Sequence, residues 1–269
     1  MAASDIGNVR AGQDTMPGNA PDAEEEATGG MMSLVEHLEE LRKRMIIALI
    51  GVGLGSVVGF IFWHPVLQFL LTPLPTVSKS LLSGEGGRRL VQGEVGEAFF
   101  VALQIAIAVG VVLASPLILY QIWAFISPAL TRRERKHALP FTFLGVGLFA
   151  AGLAVGFVVL RYPVEWLIGF GGQDFVLLLD AGKYLTFVAY FLLAFGLVFE
   201  LPLVLTFMGV VGIINSRLLR EKRMYILFGL WFLSCFITPG ADPYSPVIIG
   251  VCFTVLFELT IILMRVIGR

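Results

Sequence analysis

Arg132, Arg133, Arg135 and Lys136 surround a single acid, Glu134, in the stretch YQIWAFISPALTRRERKH that runs from Tyr120 to His137. A carboxylate so placed has two readings. As a solvated loop residue it is neutralised by its neighbours, which is how most charge runs behave. As half of an acceptor site it would take a cationic ligand together with Glu36, Glu39 and Glu40 of an upstream segment. A guanidinium presents a planar fork of donors that carboxylates accept in pairs, and an aromatic such as Phe125 packs beside it, so an arginine-bearing peptide is the matching chemistry. Taken alone, the residue chemistry leaves the solvated loop ahead.

A second acid is conspicuous for its surroundings. Glu200 lies in the apolar run FGLVFELPLV, two residues before Pro202. By the helical rise it sits about 12 Å from the inner end of the span it belongs to, Tyr184 to Met208. An acid at such depth in a bilayer costs on the order of 3 kcal/mol unless it is protonated, paired or facing water, which makes it a functional candidate. The plainer alternative is a neutral Glu200 bonded to backbone freed by Pro202. Glu258 lies nearer a predicted inner surface, within reach of Arg265 or lipid headgroups, and reads as structural. Enzyme signatures are absent: His37, His64 and His137 are widely separated, and there is no nucleophile elbow, HExxH helix or P-loop lysine. No cofactor and no metal site are expected.

The elements that hold these acids follow from composition. Of 269 residues, 57% are hydrophobic and 14% charged. That balance suits a polytopic helical membrane protein, which presents apolar side chains to lipid all round. Net charge is only -1, so nothing points to nucleic acid. Cys235 and Cys252 both fall inside predicted spans and read as small packing residues.

Residues 1–31 are rich in Ala, Gly, Asp and Glu and are expected to form a disordered cytoplasmic leader, with Met31 or Met32 an alternative start; 32–269 form the membrane domain. From Ser33 the pattern SLVEHLEELRKRM puts Leu34, Leu38, Leu41 and Met45 on one helical face, with Ser33 and Glu36 as a capping box. Six apolar segments follow: Met45 to Trp63, Phe99 to Tyr120, Leu139 to Leu160, Tyr184 to Met208, Met224 to Thr238 and Val247 to Met264. With the N-terminus inside, thirteen bases flank the inner ends and only Lys79, Arg88, Arg89, Arg161 and Lys183 lie outside, so the positive-inside rule places both termini in the cytoplasm. The fifth segment, at 15 residues, is about 22 Å long against a core of about 30 Å. Gly51, Gly55 and Gly59 mark a close-packing stripe. Pro116 and Pro202 are expected to kink their spans. Pro65, Pro73 and Pro75 shape the outer loop from His64 to Ala98 into a cap.

Four blocks, HLEELRKRM, ASPLILYQIWAFISPALTRRERK, FGLVFELPLV and the ITPG turn, stand in the order and topological positions of the TatC family of the twin-arginine translocase. The resemblance runs from Ser33 to Arg265. It implies an all-α, cupped, six-helix protein of the bacterial cytoplasmic membrane with short fifth and sixth helices. It further implies a receptor for twin-arginine signal peptides of folded cargo that assembles with the single-span subunits TatA and TatB and with copies of itself among the membrane lipids, driven by the proton-motive force. Carried over by position, Glu40, Arg42, Phe125 and Glu134 are implied to recognise the arginine pair, and Glu200 to face the concave cavity. Gln121 and Thr238 are implied to contact partner helices, and Pro73 and Glu97 belong to the outer cap. The chain departs from the family pattern at Gln104, often lysine in relatives, and in a turn one residue longer, which leaves Asp242 unassigned. A proton- or cation-coupled transporter using Glu200 is the rival reading, although no internal repeat supports it.

Overall fold

The computed structural model describes residues 34–74, 94–126, 138–170, 179–238 and 242–266. Among them the secondary structure is almost entirely helical: α1 Leu34–Ile61, α2 Trp63–Leu70, α3 Glu97–Ile126, α4 Ala138–Val159, α5 Arg161–Phe170, α6 Ala181–Phe199, α7 Leu201–Val210, α8 Ser216–Glu221, α9 Arg223–Ile237 and α10 Tyr244–Val266. Five stretches are long and apolar enough to cross a membrane: Val35–Ile61, Glu97–Ile126, Pro140–Phe170, Ala181–Val210 and Tyr244–Arg265; Arg223–Ile237 is a shorter apolar helix. The protein is a multi-pass membrane protein. Residues up to Glu40 form one unit and those from Leu41 another. In the first, the described residues are simply the opening turns of α1, and Ser33 of the expected capping box lies outside them.

Within the larger unit α6 is the central element. Phe191, Phe195, Leu185 and Val188 are fully buried on it, and α4, α3 and α10 pack around it. Close approach of α4 to α6 depends on missing side chains: a Cβ on Gly152 would stand 2.5 Å from the Phe195 carbonyl oxygen, and one on Gly156 2.8 Å from Phe195 Cβ. With lipid on the outside there is little hydrophobic drive between helices, so association relies on such backbone-level contact. The predicted stripe on α1 serves the same end against α3. A Cβ on Gly55 would lie 2.9 Å from the Gly110 carbonyl oxygen, one on Gly59 2.7 Å from that of Ala106, and one on Gly51 would run into Leu117.

Pro202 divides its span as expected. Lacking an N–H, it cannot continue the α6 ladder, so α6 ends at Phe199, Glu200 bonds back to Leu197 at 3.1 Å, and α7 starts at Leu201. Pro116, by contrast, lies inside an unbroken α3. The chain leaves α7 through Gly212 at φ +82°, which lets Ile213 N–H reach the Met208 carbonyl at 2.9 Å.

The fifth apolar helix, α9, has the expected 15 residues. The sixth was expected to be short as well, and this is corrected: α10 has 23 residues, about 34 Å by rise. The apolar run begins at Val247, but the helix starts earlier because Asp242 caps it. Asp242 Oδ1 accepts from Ser245 N–H and Oδ2 from Ser245 Oγ, both at 2.7 Å. α9 and α10 then lock together. Trp231 lies over Gly250, where a Cβ would be 2.8 Å from the indole, and Trp231 Nε1 donates to Thr254 Oγ1 at 3.1 Å. Glu258 pairs with Arg223 of α9 at 2.8 Å rather than with Arg265.

Candidate functional site

Where α3 and α6 begin, they are joined through Gly182. Glu97 Oε1 accepts the Gly182 N–H at 3.1 Å. Two turns along α3, Gln104 Nε2 donates to Thr186 Oγ1 at 2.6 Å, and that hydroxyl donates to the Gly182 carbonyl at 2.7 Å. Asp180 caps the same helix, accepting from Lys183 N–H at 2.8 Å. The short helix α2 is tied down by Tyr184, whose hydroxyl donates to the Leu70 carbonyl at 2.9 Å. Pro73 follows α2, half-buried beside the buried Leu74. The nominated cap residues thus sit at an anchored corner.

That corner opens into a cavity of about 1020 Å³ whose lining includes Glu94, Glu97, Asp180, Lys183, Tyr190 and Thr238. Thr238, nominated for partner contact, and Glu97, nominated as structural, therefore share one depression. Its charged groups lie about the starts of α3 and α6, Thr238 caps the end of α9, and Phe100, Phe187 and Phe236 supply an apolar floor. A helix occupies on the order of 500 Å³ per turn, so the space admits about two turns of one.

At the other end of α3 an aromatic cluster gathers three helices. Trp123, 4% exposed, lies 4.5 Å from the Phe207 ring of α7 and 5.2 Å from that of Phe141 on α4. Trp123 and Phe141 stand four residues or fewer in sequence from the two ends of the 127–137 stretch. Phe125 is half-buried in the last turn of α3. Glu134 lies outside the described residues. Glu40 is half-buried and Arg42 exposed on α1. Gln121 accepts from Arg44 Nη1 at 3.3 Å, which ties α1 to α3 one turn before Phe125. Arg44 was visible in the sequence as one of three adjacent bases, with nothing to distinguish it from Arg42 and Lys43.

Glu200 falls at the break between α6 and α7 and is only 7% exposed. A Cβ added at Gly145 of α4 would stand 3.2 Å from its Oε2, so that glycine leaves room for the carboxylate. Its Oε1 is buried with no hydrogen-bond partner among the described residues, so that atom does not make the backbone bond of the plainer alternative. It lines neither this cavity nor the apolar one considered below.

The family model of TatC, the Sec-independent protein translocase protein, matches residues 36–251. The chain belongs to the TatC family. Relatives named Sec-independent protein translocase protein TatC include those of Carboxydothermus hydrogenoformans, 36% identical with 87% of this chain and 93% of the relative covered, and Desulforapulum autotrophicum, 35% identical with 87% and 84% covered. Of solved structures, a crystal structure of the twin-arginine translocase receptor TatC superposes with a TM-score of 0.71 at 31% identity, covering 87% of this chain and all of that one.

Proposed function

We propose that this TatC-family protein is the core receptor subunit of twin-arginine translocation, with both termini on the cytoplasmic side. Glu40 and Glu134 accept the two arginines of a signal peptide, Arg42 helps orient its backbone, and Phe125 packs against the adjoining apolar residue. The observation that carries this reading is the placement of Phe125: it ends a helix braced by Arg44, Gln121 and the Trp123 cluster, and leads directly into the stretch whose only acid is Glu134. A braced helix end holds a recognition aromatic in place without an ordering cost at each binding event.

The polar-rimmed cavity beside Thr238 supports the second half of the proposal, docking of a single-span partner such as TatA or TatB. Its volume fits two helical turns, and its apolar floor and hydroxyl suit a transmembrane helix carrying one polar group. Glu200 influences this process from within the membrane, where a buried acid has few roles other than exchanging a proton or a polar contact.

Photo-crosslinking from Phe125 and from Glu134, one position at a time, to a labelled Arg-Arg signal peptide tests the receptor reading, with a Lys-Lys peptide as control. Contact is expected only with the arginine pair. Equal labelling of both peptides by folded protein would reject it.

A further inference from the structure

A second cavity, of about 580 Å³, lies between α2, α3, α4 and α6. Its walls include Val66 and Phe69 of α2, Val109 of α3, Phe157 of α4, and Leu185 and Leu192 of α6. Phe69 and Phe157 close one side as a stacked pair, ring centroids 4.3 Å apart and planes within 6°. Gln104 is the one polar side chain in the lining, and its amide is already donating to Thr186 at 2.6 Å.

Water is a poor occupant, because a buried water needs two to four polar partners and this wall offers one that is already engaged. A helix is a poor occupant as well. At on the order of 500 Å³ per turn, the space holds little more than one turn, too short to dock stably. A methylene takes about as much room as a water molecule, roughly 30 Å³, so the cavity holds on the order of twenty methylenes, the size of one lipid chain. The surrounding solvent at this depth is acyl chain.

A cation lies close along the chain: Arg161 opens α5, four residues after Phe157 of the cavity wall. Its guanidinium is exposed and rests over the Tyr162 ring at 5.0 Å. Lys183, the other described cation at this end, lines the larger cavity and lies 3.9 Å from Asp180. We propose that the apolar cavity holds one acyl chain of a membrane phospholipid whose phosphate is bound by Arg161. Guanidinium recognises phosphate with paired donors, and a lipid held by both ends would fix α2 against α4 and α6. This cavity differs from the partner cavity proposed above, with which it shares Leu193 as a common wall.

The test is native mass spectrometry of the full chain released from nanodiscs, in parallel with phosphatidylglycerol and with a diacylglycerol of the same chains that lacks phosphate. Wild-type protein is expected to retain one phosphatidylglycerol after the bulk lipid is stripped, and no diacylglycerol. Ala154→Trp, at an exposed position in the cavity wall, and Arg161→Gln are each expected to cut retention about tenfold, with Arg161→Lys keeping most of it. If Ala154→Trp misfolds by thermal unfolding, Ala108→Phe fills the same space from α3. Retention unchanged by both cavity-filling and Arg161→Gln would overturn the proposal. So would equal retention of both lipids, or displacement of the lipid by a signal peptide, which would assign the cavity to peptide instead.

Discussion

Arg44 Nη1 donates to Gln121 Oε1 at 3.3 Å, joining α1 to α3 one turn from the aromatic nominated for peptide contact. Arg44→Leu and Gln121→Leu are each expected to destabilise purified protein by about 1 kcal/mol. The double variant should lose little more than either single one, because both remove the same contact. Thermal unfolding of the four proteins measures the coupling, and simple additivity would show that the bond contributes nothing. Peptide crosslinking from Phe125 should fall in step with the coupling.

Glu97 accepts the Gly182 N–H directly, and Gln104 reaches the Gly182 carbonyl through the Thr186 hydroxyl. Glu97→Ala is expected to cost about 1–2 kcal/mol, since it strips a helix-start N–H of a charged acceptor. Glu97→Gln keeps an oxygen in place and should lose less than half of that. Equal melting temperatures for Glu97→Ala and wild type would count against the bond.

The glycine stripe on α1 makes a graded prediction. A Cβ on Gly59 would meet the Ala106 carbonyl oxygen at 2.7 Å and Val109 Cβ at 2.9 Å, whereas one on Gly53 meets nothing within 4 Å. Gly59→Ala should therefore cost about 1–3 kcal/mol through overpacking. Gly53→Ala should be neutral or slightly stabilising, since alanine is the better helix former by up to about 1 kcal/mol. A matched pair of unfolding curves decides it.

Asp242 gains a role from its two bonds to Ser245. Asp242→Ala is expected to cost about 1 kcal/mol and to fray the first turn of α10, seen as faster hydrogen exchange at Tyr244 and Ser245. Asp242→Asn retains one acceptor and should exchange more slowly than the alanine variant. Identical exchange in all three would remove the cap.

Much of this was legible in the sequence because hydropathy and glycine spacing act locally. The apolar runs, the division at Pro202, the 15 residues of α9 and the stripe of Gly51, Gly55 and Gly59 each depend on neighbours along the chain. What was missed depends on partners far away or on polar residues inside helices. α5 escaped because Arg161 and Pro163 look like a span's end, while the helix resumes after Leu160 with Pro163 in its first turn, where a missing N–H is harmless. The short α10 was implied by the family resemblance, while its own apolar run already had 18 residues and the helix adds a polar first turn. Arg44, Gly152 and Asp242 became distinctive only once Gln121, Phe195 and Ser245 stood opposite them. Glu134, the residue on which the sequence argument rested most, lies outside the described residues, so its role rests on sequence alone.

The bonds at Gly182 and the rings around Trp123 lie at opposite ends of α3, so the helix is pinned twice: by polar bonds to α6 at one end and by packed rings of α4 and α7 at the other. A span held at both ends works as a strut, and Phe125, two residues beyond Trp123, inherits its position.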